Sequence, residues 1–380
     1  MRTLGELLRS DEGKAFLETR GVLTSADAFV ERLRPPAHGG LLELIGGDAG
    51  GFPVYAAHQV KADYSPSVTA KVRSAWNLQR THREVLAVLL WLDLDRAGAD
   101  RGTSGITLRG RSGSVSVRLG SRRHDDKEVR FVPVDPSQLE ETLRKVGAWA
   151  RQQGAAAIER HDRLAAALRD PPPATLAQAN LRLTTFLVQA QMEVAAPSFL
   201  VSDLASRGFL TRTLEEAVQR IDDVITVFNA SIDSLVAAEI DPQVRPLRPD
   251  YLPLHYSCDR DDRRCTLVRR QRGGVQVATT TCLCGASYEF RLGSASLSAE
   301  DITGTDRWSA DVTLPMYLND LASGAVAGRS SALYGLVLNE VLEKVLARRP
   351  IPMLIPDDLA DVLAAGPGEG GLVQAYVSPA

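Results

Sequence analysis

A histidine, a glutamine, a lysine and two aspartates stand where chemistry is expected. Val54-Tyr55-Ala56-Ala57 is a short apolar run that ends abruptly in His58-Gln59. Pro66 and a helix start near Ser67 and Thr69 follow, and Lys71 falls in the first turns of that helix. A second apolar run, Val85 to Leu92, ends in Asp93-Leu94-Asp95. Loops at the carboxyl ends of parallel strands form the binding crevice of an open α/β sheet. In that setting His58, Gln59 and Lys71 would surround a phosphate or carboxylate. Asp93 and Asp95 would take a ribose hydroxyl, a substrate amine or Mg²⁺. The plainer reading is an ordinary polar loop after the first run and an aspartate that caps the next element after the second.

The second concentration of chemistry is in the cysteines. All four, Cys258, Cys265, Cys282 and Cys284, lie within one short stretch, with six, sixteen and one residues between them. Two strand-like pieces, Cys265 to Arg270 and Val275 to Thr280, meet at Gly273-Gly274. Cysteine-bearing turns on β-strands follow the logic of a zinc ribbon, because four soft thiolates suit tetrahedral Zn²⁺. So small a lobe buries little core, so a metal would supply missing folding energy. Four closed ligands leave no open position, which makes the expected role structural. His255 could replace one thiolate, and a metal-free hairpin or a degenerate site are the alternatives. Arg260, Arg263, Arg264, Arg269, Arg270 and Arg272 surround the turns, with Tyr256 and Tyr288 nearby. Such a set could contact nucleic acid. Asp259, Asp261 and Asp262 dilute it, so nucleic acid is the less favoured partner.

These residues need elements to position them. The chain has 380 residues, 44% hydrophobic and 24% charged, with a net charge of -3. That is an ordinary globular composition, long enough for two or three domains, with no global drive toward nucleic acid or an anionic membrane. Arg2, Glu6 and Arg9 interrupt the first ten residues, so a signal peptide is not expected there, and no run of ~18 apolar residues suggests a membrane span. A cytoplasmic protein follows as the expectation.

The nearly continuous run Val85 to Leu92 suits a strand buried on both faces, although a buried helix turn has the same pattern. Gly46-Gly47 and Gly50-Gly51 precede the first strand without a phosphate-binding fingerprint. Ile106 to Leu108 and Ser114 to Leu119 read as a hairpin, and Val129 to Val134 as a further strand-like run. From Ser137 the pattern turns helical. Ser137 to Glu140 and Thr213 to Glu216 read as capping boxes, and His161 as a solvent-facing residue. Val312 to Leu318 is a candidate strand despite Pro315, and the Pro- and Gly-rich tail after Pro350 is expected to be partly loose. The expectation is an α/β fold: a Rossmann-like parallel sheet core with a helical insertion and a small zinc-ribbon-like β lobe. Residues 1–136 and 297–380 would form the core, 137–250 the helical domain and 251–296 the four-cysteine lobe.

Some of these pieces resemble a known family. Ala57-His58-Gln59 with Tyr64-Ser65-Pro66 and Ala70-Lys71, then Leu89 to Asp95, are similar to the first part of the bacillithiol synthase (cysteine-adding) family, a relative of class I aminoacyl-tRNA synthetases. Gly324 to Tyr334 resembles that family's late glycine-rich turn, and Arg329-Ser330-Ser331 loosely matches the lysine-serine phosphate loop of the synthetases. The matched pieces are short and cover about a quarter of the chain. The family's first motif is richer in glycine and glutamine, its acidic motif carries a histidine missing here, and its long C-terminal coiled coil has no counterpart. The resemblance implies a nucleotide pocket in which Arg329, Ser330 and Ser331 join His58 and Lys71 around the phosphates. The expected function is an ATP-dependent ligase or nucleotidyl-transfer enzyme acting on an amino acid or a small amine or carboxylate. A non-catalytic binding or scaffold protein with a zinc ribbon is the alternative.

Overall fold

The computed structural model of the chain describes residues 1–36, 40–46, 51–62, 64–98, 103–110 and 113–355. Among the described residues, thirteen strands carry the topology. They are β1 (Val22–Leu23), β2 (Phe52–Gln59), β3 (Val85–Leu92), β4 (Gly105–Gly110), β5 (Gly113–Arg118), β6 (Ser198–Leu200), β7 (Tyr251–Ser257), β8 (Arg264–Arg272), β9 (Val275–Thr281), β10 (Ser287–Gly293), β11 (Trp308–Ala310), β12 (Gly324–Val326) and β13 (Met353–Leu354).

Six of them form an all-parallel sheet in the order β1-β13-β12-β2-β3-β6. The long register between β2 and β3, from Phe52 opposite Val85 to Gln59 opposite Leu92, is its centre. Period-two alternation sends β3 side chains to two separate cores. Val85, Ala87, Leu89 and Trp91 face one, and Val88 and Leu90 face the other. The first core packs against the Pro66–Thr81 helix and three later helices, Pro136–Gln153, Ala155–Arg169 and Leu176–Met192. The second packs against Ile221–Ala237 and Arg329–Lys344. Helices on both faces make β3 apolar along its whole length, as parallel sheets require. The fold is therefore a Rossmann-like α/β core. Gly324 in β12 leaves no room for a side chain, since a Cβ there would lie 2.6 Å from Phe29 Cζ.

A second, antiparallel sheet runs β10-β9-β8-β7-β11 and carries the cysteines. It extends past the expected lobe boundary, because β11 pairs with β7. The β4–β5 hairpin matches the expected one, with Ile106 opposite Val117; Arg111 and Ser112 at its tip lie outside the described residues.

Several expectations need correction. The block 137–250 is not one helical body: β6 interrupts it and joins the parallel sheet beside β3. Three residues after Pro197 are too few for a periodic signal. Val312 to Leu318 gives the Leu314–Asn319 helix, because Pro315 removes a ladder donor but is tolerated in a first helical turn. Val129–Phe131 is a short 3₁₀ turn. Asp135, not Ser137, caps the Pro136–Gln153 helix, accepting from Ser137 N at 2.9 Å. Thr213 lies inside the Thr211–Gln219 helix, and its hydroxyl donates to Asp320 at 2.7 Å. His161 is buried rather than solvent-facing, with Nε2 2.9 Å from Leu143 O, in space that Gly147 leaves open. After Pro350, Met353–Leu354 forms a sheet strand; residues 356–380, like Gly47 and Gly50, lie outside the described residues.

Leu90 is fully buried at the sheet's centre. Leu90→Ala should lower unfolding free energy by about 2–5 kcal/mol in urea titrations, the usual loss for a filled core site. A loss under about 1 kcal/mol would contradict a central, tightly packed β3.

Candidate functional site

The crevice forms where the sheet forces it. β2 has β3 on one side and β12 on the other. The chain leaves β2 through the Pro66–Thr81 helix toward β3, and returns to β12 only after the helices and the small sheet. Connections that part in opposite directions open a gap at the carboxyl ends of the strands. A cavity of about 450 Å³ lies there. His58 and Gln59 end β2, Leu92 ends β3, and Ala327-Gly328 follow β12 into the Arg329–Lys344 helix. Leu314, Pro315 and Leu318 supply an apolar wall. A volume of this size suits a small molecule with a few fixed polar groups.

Lys71 is the main charge in the crevice. Its side chain is 5% exposed. The ammonium donates to the Ala57 carbonyl, and no carboxylate among the described residues pairs with it. Burial pulls its pKa down to about 8. It lies beside Gly328, whose added Cβ would be 4.0 Å from Lys71 Nζ. Gly328 N-caps the sixteen-residue Arg329–Lys344 helix, where free backbone N–H groups and the helix dipole favour an anion. Ser331 Oγ accepts from Gly328 N at 2.7 Å and closes that turn. The backbone of Arg329 and Ser330 opens the same helix; their side chains lie outside what the structure describes.

His58 is held neutral. Burial, then the Lys71 charge, push its pKa down to about 3. With Nδ1 donating to Gln59 O at 3.1 Å, Nε2 carries a lone pair. A phosphate oxygen needs a donor, which Nε2 in this state is not, and so low a pKa makes the imidazole a weak base, so it is suited to accept a hydrogen bond. Tyr64 stands edge-on to the ring, with centroids 5.7 Å apart.

The two aspartates part company with the crevice. Neither lines it. Asp93 is fully buried, and its carboxylate accepts from Ser202 N at 3.0 Å and from Ser202 Oγ. It ties the start of the Val201–Ser206 helix to β3, a tether to a distant element rather than a cap on the next one. Asp95 accepts from the Gln59 side chain, and an Arg264 guanidinium from the small sheet lies 3.6 Å away. It acts behind Gln59, holding that side chain at the crevice. The sequence reading missed Tyr55 and Asn319, which reach the cavity as a pair, Tyr55 Oη donating to Asn319 Oδ1 at 2.7 Å. Tyr55 is at an inward position of an evident strand; Asn319 comes from the helix mistaken for a strand.

At the tip of the small sheet, Cys258, Asp261, Cys282 and Cys284 offer ligand atoms all within 4.8 Å of one another, a group that could hold a metal ion. Cys265 lies in the same small core, and its thiol donates to Arg263 O at 3.4 Å. His255 is on β7 with burial and neighbouring arginines pushing its pKa down to about 3. Five of the six lobe arginines are paired: Arg263 with Asp261, Arg264 with Asp95, Arg269 with Asp222, Arg270 with Asp250 and Arg272 with Glu289. Those pairs blunt the basic patch that a phosphate backbone would need. No helix among the described residues is long and apolar enough to cross a membrane.

The chain matches no protein-family model and no curated protein.

Burial raises the Asp93 pKa from 3.8 to about 6, against the pull of the Ser202 hydrogen bonds. The folded state therefore holds this proton more tightly than the unfolded chain. Stability contributed by the protonated form is complete below pH 3.8 and is lost as pH rises toward 6. Relative to Asp93→Asn, the wild type should lose roughly 3 kcal/mol across that window in denaturant titrations. A difference that stays flat with pH would contradict the buried, high-pKa carboxyl.

Proposed function

We propose that the crevice binds a nucleoside phosphate, ATP in the first instance, and that the protein is an ATP-dependent ligase or nucleotidyl-transfer enzyme. Its second substrate would be an amino acid or a small amine or carboxylate. The observation that carries this reading is Lys71: a buried ammonium with no carboxylate partner among the described residues, beside a long helix's N-terminus, at the switch point of a parallel sheet. Burying an uncompensated cation is unfavourable, and an anionic ligand would relieve it. Phosphoryl and nucleotidyl transfer is mostly positioning and charge stabilisation, which a cation and backbone N–H groups supply.

Roles follow from the chemistry of each group. Lys71 and the Gly328–Ser331 turn would hold phosphate oxygens. Neutral His58, through Nε2, would accept a hydrogen bond from the attacking amine or hydroxyl and orient it. Gln59, fixed by Asp95, would orient that nucleophile or the ribose. Mg²⁺ would arrive with the nucleotide, because Asp93 is already spent on Ser202 and neither aspartate lines the cavity. The resemblance of the Lys71 segment to bacillithiol synthases is in keeping with phosphate at Lys71, while His58, which that resemblance would also put on the phosphates, is assigned here to the nucleophile. We further propose that the cysteine-rich tip holds a structural Zn²⁺ ion.

Calorimetric titration with ATP tests the proposal. Lys71→Met should weaken binding by about 10- to 100-fold, the worth of a charged hydrogen bond lost. Stability of that variant should not fall, since it removes a buried charge. His58→Ala should bind ATP nearly as the wild type does while losing turnover. Absence of heat with wild type, or equal affinity in Lys71→Met, would rule the nucleotide site out.

A further inference from the structure

The structure assigns the fourth metal ligand of the small lobe to Asp261 rather than to Cys265, giving a three-thiolate, one-carboxylate Zn²⁺ site. This inference rests on the zinc reading just proposed and specifies its donor set.

Distances carry it. A tetrahedron built on Zn–S bonds of about 2.3 Å and a Zn–O bond of about 2.0 Å has S···S edges near ~3.8 Å and S···O edges near ~3.5 Å. Cys258 Sγ and Cys284 Sγ are 3.6 Å apart. Cys282 Sγ and Asp261 Oδ1 are 3.3 Å apart. Those are two opposite edges of one tetrahedron, and every remaining edge is below 4.8 Å. Cys265 Sγ is not one of these four mutually close groups, although it also touches the Cys282 side chain. Its thiol donates to Arg263 O, 3.4 Å away, and its side chain packs in the same small core as Cys258 and Cys282.

The backbone explains the exchange. Cys258 and Cys265 lie at the two ends of the turn between β7 and β8, whereas Asp261 is in the turn itself. Asp262 has positive φ, and its amide donates to Cys258 O at 2.9 Å, which folds the turn back over Cys258. That closure brings the Asp261 carboxylate onto the sulfurs. The opposite turn is closed by Gly285 N donating to Cys282 O at 2.9 Å.

Outer contacts hold both turns in place, as groups around a metal site commonly do. The Tyr288 hydroxyl lies 3.1 Å from Cys258 Sγ and accepts from Asp259 N at 3.2 Å. Arg307 donates to Cys258 O at 3.0 Å and to Asp262 at 2.7 Å, and Lys127 donates to the other Asp262 oxygen at 3.0 Å. Arg263 N donates to Asp261 Oδ1 at 3.2 Å. None of these contacts involves Cys265.

The test uses the full chain, purified without chelator, with elemental analysis, competition against a chromogenic chelator and Co²⁺ substitution. Wild type should carry one zinc. Cys265→Ser should keep it, with chelator resistance within about twofold of wild type and an unchanged thiolate-to-Co²⁺ charge-transfer band. Asp261→Ala should lose about tenfold or more in resistance, and Cys284→Ser should lose about a third of the band. If Asp261→Ala fails to fold, the Cys265→Ser spectrum still decides, because a four-thiolate site must lose absorbance there. Metal loss in Cys265→Ser with retention in Asp261→Ala would overturn the assignment. A wild-type chain that takes up neither zinc nor Co²⁺ would instead overturn the zinc reading beneath it.

Discussion

The structure depends on one constraint: β2 is paired in parallel on both edges, and its neighbours are reached by connections that leave in opposite directions. Parallel pairing obliges the chain to cross the sheet between strands. With one crossover going to β3 and the other arriving at β12, a gap opens at the carboxyl ends of β2 and β12, walled on one side by Leu314, Pro315 and Leu318. The cavity is therefore a consequence of topology, and part of its lining comes from residues at or just past the ends of these strands. His58, Gln59 and Gly328 occupy such positions, and Lys71 comes from the helix that starts just beyond.

Within that cavity the charges are arranged unequally. Lys71 is desolvated without a counter-charge among the described residues, while the nearest imidazole is driven neutral. The acidic groups that could have balanced Lys71 are employed elsewhere, Asp93 on Ser202 and Asp95 on Gln59 and Arg264. The last contact also joins the two sheets. Arg264 donates to Leu94 O at 2.8 Å, so the cysteine-bearing lobe is anchored directly behind the residue that orients Gln59. The turn that would hold the metal and the wall of the crevice are thus neighbours in one continuous packing arrangement.

The α/β class and the central strands were legible because β3 is apolar on both faces, a pattern that few elements share. The end of β2 at His58-Gln59 was legible for a related reason: polarity switches abruptly where the strand leaves the core. Short elements were not. β6 has three residues, and Leu314–Asn319 was masked by a proline that fits a helix start as well as a broken strand. Asp93 and Asp95 misled because an acidic residue after a buried strand serves equally as a ligand or as a tether. Only the position of Ser202, more than a hundred residues away, distinguishes the two. Asp261 was hidden by its surroundings, one of three aspartates among arginines, with no spacing rule to single it out.

The central claim is that the crevice is built around an ammonium awaiting an anion. The most direct measurement is the titration of the Lys71 side chain by NMR, with and without ATP. The account predicts a pKa near 8 in the free protein, as burial dictates, and a rise on nucleotide binding as the phosphate charge favours the proton. A Lys71 that titrates at its ordinary value, or whose titration is indifferent to ATP, would contradict it.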